Sequence, residues 1–549
     1  MAAASDFKIG VEIQFEALLS FAGVLMRWQV SCPQLIVFGL VACAFRHAEA
    51  IDPPASTTAT RPYFAVFASS VDRVTGVCHS IFESVQRPDL AATLVERQKG
   101  FRDFAGIDKS KPLGMMSLWT ETSQAEIVFL PVEDVQELLR TATFGVVEFR
   151  EVAPDRFVIE RPGSPYHVLV RNGYALAADS QSTIRSLQVT PEQLTRTLRD
   201  RYDVVVYLDP KQIPRQTKSA FVDNIRLQVE PALQPQDDES LEVANLRRTI
   251  GKLGLDLFQR VVLDTSTVVV GAKLDSDTHK IVIEVVVEAV NASGMAKALG
   301  RLVSERSEFA SLISPDVPAG IALNLPLGGI VQQILGQPVD RTAKGGRLDA
   351  GIQVAGAKPG EFALILAVRG NEAVDLNRAI PELILKLEKT ATFQAVHENF
   401  EIYEGVVFHS LVPRELPQFA AQLAGPDAEI IIGQGREICW AAIGPSQTVL
   451  EQLKDAIHRS SESSPVEARA PLVSAKFQAK QLPQSVVSDL LVPNVDARTA
   501  SEEFANGQDG CSLTLEPIPA GVKLRIEAEA GFVRLIGRDW VKQIDDANR

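Results

Sequence analysis

Apolar residues along this chain switch repeatedly from a two-residue to a helical period, and a proline marks the switch. Ile127-Val128-Phe129-Leu130 reaches Pro131 and gives way to VEDVQELL; Val204 to Leu208 reaches Pro210 and a long helical stretch. Ile321 to Leu325 reaches Pro326 and LGGIVQQIL, and Phe477 to Leu482 reaches Pro483 and QSVVSDLL. Proline cannot donate to a strand ladder, yet it is tolerated in the first helical turn, where its missing N–H has no partner to lose. A second pattern closes each unit with a strand, a polar cap and a helix: Gly173 to Ala178 before Asp179-Ser180, Glu437 to Ile443 before Pro445-Ser446, and Val285 to Val290 before Asn291. Asp, Ser and Asn accept hydrogen bonds from free N–H groups at helix starts. Leu524 to Ala528 runs into the last helix without such a cap.

Hairpin signals lie between opener and closer. Asn172-Gly173 separates two apolar runs, and TVVVGAKLDSDTHKIVIEVVVEA reads as a hairpin turning near Asp275 to Thr278. The expected fold class is therefore α+β: tandem, diverged strand-helix-meander-helix units whose antiparallel sheets are covered by helices. The units span 62–200, 201–315, 316–460 and 470–549, with a linker over 461–469 inside SSESSPVEARAP. This arrangement resembles large exported bacterial proteins built of tandem α+β units, in which a strand reading NGYALAADS leads into a short helix. The resemblance covers 62–460 in architecture and brings no catalytic residues with it.

The first 61 residues carry an address. QLIVFGLVACAF at 34–45 has signal-peptide length and is too short to cross a bilayer as a helix. Arg27 precedes it, and Ala48 and Ala50 form the small-x-small pattern of a cleavage site, so residues 26–50 read as a signal peptide. Asp6, Glu12 and Glu16 suit a signal n-region badly. Translation from Met26 is expected, leaving 1–25 as a mis-called extension; the alternative is a long, atypical n-region. The polar, proline-rich 51–61 is a loose linker. Leu40-Val41-Ala42-Cys43 resembles a lipobox, which makes Cys43 the candidate lipidation site of a second, lipid-anchored reading. The leading expectation is a periplasmic or secreted protein.

Composition narrows function. The 549 residues carry a net charge of −14 and no basic stripe, which argues against a nucleic-acid partner. Past residue 50 no apolar stretch of membrane-spanning length is free of charge; IVIEVVVEAV carries Glu284 and Glu288. Cys78, Cys439 and Cys511 follow the signal, an odd number without CxxC spacing; a Cys439–Cys511 disulfide is one pairing that nothing in the sequence selects.

The spacing of reactive residues matches no common catalytic or metal signature. His47, His79, His167, His279, His397, His409 and His458 give no HExxH or HxH. Asp275-x-Asp277-x-His279 is the sharpest metal candidate, but LDSDT also reads as a polar turn, the favoured reading. Asp237-Asp238-Glu239 lacks the glycine and ligand spacing of a calcium loop. Ser164 and His167 sit in a proline-rich turn, and Gly433-Gln434-Gly435 lacks the third glycine of a dinucleotide loop. No catalytic, metal or cofactor-binding residue is assigned, and no cofactor is expected. The leading functional expectation is a non-enzymatic protein that binds an envelope or extracellular partner or acts as a scaffold. A carrier of lipid or another hydrophobic molecule is the second, and an exported hydrolase with a dispersed site the third.

Overall fold

The computed structural model describes residues 61–91, 105–119, 124–142, 148–160, 165–235, 241–300, 307–314, 316–325, 348–356, 361–369, 381, 384, 393–415, 421, 424–461, 471–482, 497–505 and 507–547. The candidate signal, its Ala48 and Ala50, Cys43, Ser164 and Asp237-Asp238-Glu239 lie outside them.

Valine-rich, alternating segments form strands because branched side chains fit a pleated, half-buried surface. In the first half these are β1 (Phe64–Ala68), β2 (Leu113–Trp119), β3 (Gln124–Pro131), β4 (Phe149–Ala153), β5 (Arg156–Ile159), β6 (Tyr166–Arg171), β7 (Tyr174–Ala178), β8 (Val204–Leu208), β9 (Thr265–Asp275) and β10 (Lys280–Ala289). The second half supplies β11 (Ala319–Leu325), β12 (Leu348–Ala355), β13 (Ala363–Arg369), β14 (Phe393–Tyr403), β15 (Val406–Pro413), β16 (Ala428–Gln434), β17 (Ile438–Pro445), β18 (Val473–Gln478), β19 (Gly510–Ile518) and β20 (Gly521–Ala528).

All twenty strands join one sheet, and every pairing is antiparallel. Followed by hydrogen-bonded neighbours, the first half runs β4-β5-β6-β7-β3-β2-β1-β8-β9-β10. The second half runs β14-β15-β16-β17-β13-β12-β11-β18-β19-β20, the same order with each strand ten places later. The halves meet where β10 pairs with β20, Glu284 opposite Arg525. Equivalent strands pairing antiparallel place an approximate two-fold through this seam. Where several separate sheets were expected, one sheet runs through the molecule.

Ten helices are described: α1 (Val71–Ser84), α2 (Val135–Ala142), α3 (Gln181–Ser186), α4 (Pro191–Thr195), α5 (Arg215–Val229), α6 (Leu241–Asp264), α7 (Gly294–Leu299), α8 (Val449–Ser461), α9 (Ala497–Phe504) and α10 (Ala530–Ala547). Their starts follow side-chain chemistry. Ser70 Oγ accepts from Arg73 N, and Thr190 with Gln193 forms a reciprocal capping box ahead of Pro191. Ser293, not Asn291, caps α7; the strand ends at Ala289 and the chain makes one more turn before the helix.

One face of the sheet carries two apolar cores separated by the seam. In the first half Phe67, Met116, Phe129 and Leu176 pack beneath Ile184, Leu187 and Leu198. In the second, Ala367, Trp440 and Phe408 pack beneath Phe309, Val449 and Leu453. The opposite face at the seam is covered by α1 and α10, whose Ile81, Val533 and Ile536 meet Ile281, Ile283 and Ala272. Each fully buried large side chain contributes about 1.5–3 kcal/mol of burial.

Candidate binding surface

The β10 sequence KIVIEVVVEA alternates, and the alternation sends its two sets of side chains to opposite faces. Ile283, Val285 and Val287 go to the helix-covered side and are buried. Glu284 goes to the other side, level with Gly271 of β9, Arg525 of β20, Thr514 of β19 and Ser474 of β18 through successive registers. Extended outward, the row turns apolar both ways: Val205, Phe67 and Phe129 on one side, Ala322, Ala367 and Trp440 on the other. The seam is thus a polar stripe between two apolar cores. β18 is half-buried along its whole length, as is the middle of β19 and β20.

Glu284 is the hub. Its Oε1 accepts from Arg525 Nη1 at 2.8 Å. Its Oε2 accepts from Tyr202 Oη at 2.7 Å and from Arg201 Nη2 at 3.3 Å. Arg525 also donates to Glu527 at 2.6 Å, and Lys523 pairs with Glu516 at 2.9 Å. The Arg201 guanidinium lies 5.1 Å from the centre of the Tyr202 ring, a cation–π distance. Tyr202 can cross β9 because position 271 is glycine: a Cβ there would lie 2.4 Å from the ring.

Burial would raise the Glu284 pKa, but the hydrogen bonds from Tyr202 and Arg525 and the Arg525 charge outweigh it and hold the carboxyl below its ordinary value. Burial and the same hydrogen bond push the Tyr202 phenol up. One group therefore stays ionised and the other stays protonated near neutrality, a pairing suited to holding charges in place rather than to passing a proton. Burial pushes the thiols up as well, Cys78 and Cys439 to about 11 and Cys511 to about 12, so none is an activated nucleophile.

The other candidate residues are dispersed. Asp275 Oδ1 accepts from the N–H groups of Asp277 and Thr278 at 3.0 and 3.1 Å, the polar-turn arrangement. His279 leaves that turn with φ +50° and hydrogen-bonds Ser80 Oγ at 3.0 Å. Among the described residues no group of three His, Cys, Asp or Glu is placed to hold a metal ion. Cys439 and Cys511 are free thiols on β17 and β19, separated by β18, β11, β12 and β13. Five strand spacings put them roughly 24 Å apart, so that disulfide is excluded. His167 lies on β6, His397 on the edge strand β14, and Gly433 and Gln434 close β16. The Glu284 network escaped sequence reading because its partners lie 82 and 241 positions away. The one local signal was a carboxylate amid valines in an alternating strand.

Among the described residues no helix is long and apolar enough to cross a membrane. Compared with protein-family models, curated proteins and solved structures, the chain matches none.

Proposed function

We propose that the chain is an exported protein of the periplasm or cell surface that binds a macromolecular partner or acts as a scaffold, with the seam stripe as its contact surface. The observation that carries this reading is the polar row of buried Glu284 and half-buried Arg525, Thr514 and Ser474, flanked on both sides by covered apolar core. Its charges are already paired, so a partner would meet a fixed pattern without ordering loose side chains, which lowers the entropy cost of binding. We further infer that the four units pair into two repeats, 62–315 and 316–549; the shared strand order supports this. Carriage of a hydrophobic molecule is the weaker reading, because the cores are filled by ring contacts such as Phe309–Trp440 at 5.7 Å and Phe129–Tyr174 at 6.2 Å.

The test uses the full chain in its own host, with a photocrosslinking residue at position 514. A discrete adduct that disappears in Arg525→Glu supports the contact surface. No adduct, or one indifferent to that substitution, counts against it. Export is tested by the mass of the mature protein: a chain starting at Ile51 is a soluble exported protein, one starting at a lipid-modified Cys43 is anchored, and an intact N-terminus contradicts export.

A further inference from the structure

The outermost strand of the second half contains a built irregularity. β14 and β15 pair His397 with Ser410 and Glu401 with Phe408, so Glu398, Asn399 and Phe400 together stand opposite one residue, His409. Asn399 has φ +49°, in the left-handed region, and its backbone N–H has left the strand ladder. The His409 ring takes that N–H: Nδ1 accepts from Asn399 N at 3.3 Å. An accepting Nδ1 assigns the ring proton to Nε2. His409 is buried, and Nε2 has no hydrogen-bond partner.

We propose that His409 is an acid-sensitive latch: a second ring proton at Nδ1 releases the bulge and the outer part of β14 from β15. Protonated, Nδ1 becomes a donor facing the donor Asn399 N–H, and the new cation is buried at a cost that the pull of Gln434 and Glu398 does not offset. Opening the bulge relieves both. What is freed is the tip that carries the exposed Phe400 and Ile402, and what is uncovered is the edge of β15, a row of backbone groups open to an added strand. The surroundings favour the neutral ring. Burial lowers the His409 pKa below 6.5, and the opposing pull of the Glu398 carboxylate and of Gln434 is smaller. Among the described residues, β16 and β17 present Gln434, Ile432 and the protonated Cys439 thiol on this side, and Ile384 packs nearby. The remaining charged groups, Glu429, Glu401, Glu404, Lys454 and His458, are engaged with Ser410, with α8 or with each other.

The test is hydrogen exchange of the full chain, read by mass spectrometry between pH 7.5 and 5. After correction for intrinsic rates, amides of 398–411 are expected to lose about tenfold of their protection on acidification, the scale of one lost hydrogen bond with a desolvated donor. The β9–β10 hairpin should hold. His409→Asn keeps an acceptor near the Nδ1 position but cannot titrate, so its protection should not vary with pH. A flat wild-type profile, or an equal loss in His409→Asn, overturns the latch. Should that variant fold poorly, exchange of the imidazole C2 hydrogen in the wild type reports the His409 titration directly. A pKa at or above 6.5 would then refute the proposal.

Discussion

The two halves of the molecule share a strand order but not the material built on it. In the first half a long helical pair, α5 and α6, follows β8, and the six-residue α7 follows β10. In the second, the helix described ahead of β19 is the eight-residue α9, and β20 is followed by the eighteen-residue α10. α10 crosses back to the first half, where Trp540 meets Phe82 of α1 at 5.8 Å. The outer hairpin differs too: β4 and β5 have five and four residues, whereas β14 and β15 have eleven and eight. Registers and turns fix which strand lies beside which, so connections that lie over the faces are free to lengthen, shorten or reach across the seam. At the seam the halves differ in charge, with Glu284 facing Arg525 across an approximate two-fold.

The comparison can be broken first at the two cores. Trp440→Ala in the second half and Phe129→Ala in the first each remove a nearly fully buried ring and should cost about 3–5 kcal/mol. Because β10–β20 and α10 tie the halves, calorimetry should give one transition that both variants lower. Two transitions, with one moved by each variant, would mean the halves unfold separately.

Next in size is the seam. Arg525→Ala leaves Glu284 with Arg201 and Tyr202 alone and should cost about 2–3 kcal/mol, below the value for a fully buried pair because Arg525 is partly exposed. Replacing the pair together, Glu284→Leu with Arg525→Met, should come close to neutral. The pH dependence carries a definite sign. Glu284 has its folded pKa lowered, so its contribution is present above the unfolded pKa and is lost as pH falls through the folded one. Denaturant titrations in Glu284→Gln should therefore show a shallower acid limb than the wild type. An unchanged acid limb would remove the network as a source of stability.

Gly271→Ala should cost about 1–3 kcal/mol, because its Cβ would strike the Tyr202 ring. Gly254 of α6 has open space around it, so Gly254→Ala should stabilise by about 0.5–1 kcal/mol. Equal effects at the two glycines, read by urea midpoint, would contradict the placement of Tyr202 over β9. The smallest effect is expected at Ser70→Ala, about 1 kcal/mol or less for one lost cap on α1.

Much of the local structure was legible. Asn172 and Gly173 take φ of +53° and +74°, the left-handed pair that the Asn-Gly signal implies, and the turn between β9 and β10 is Ser276 to His279, one residue later than the expected Asp275 to Thr278. Pro131 ends β3, and Pro210 opens a short 3-10 turn after β8. The candidate surface was barely legible: Glu284 stood out only as a charge interrupting an apolar run. The β14 bulge was not, since a bulge is defined against a partner strand and the lone Asn399 of HENF, though suited to its positive φ, does not by itself mark one.

The division has one physical cause. Period, caps and two-residue turns act over a few residues, so the amino-acid order determined where strands and helices lie, which faces are apolar and where hairpins close. Pairing β10 with β20 brings together residues 241 positions apart, and no local propensity encodes which of many apolar edges a strand will choose. Tertiary structure decided that choice through the summed burial of both faces. With it came one sheet instead of several, the exclusion of the Cys439–Cys511 bond, and the meeting of Glu284 with Tyr202 and Arg525.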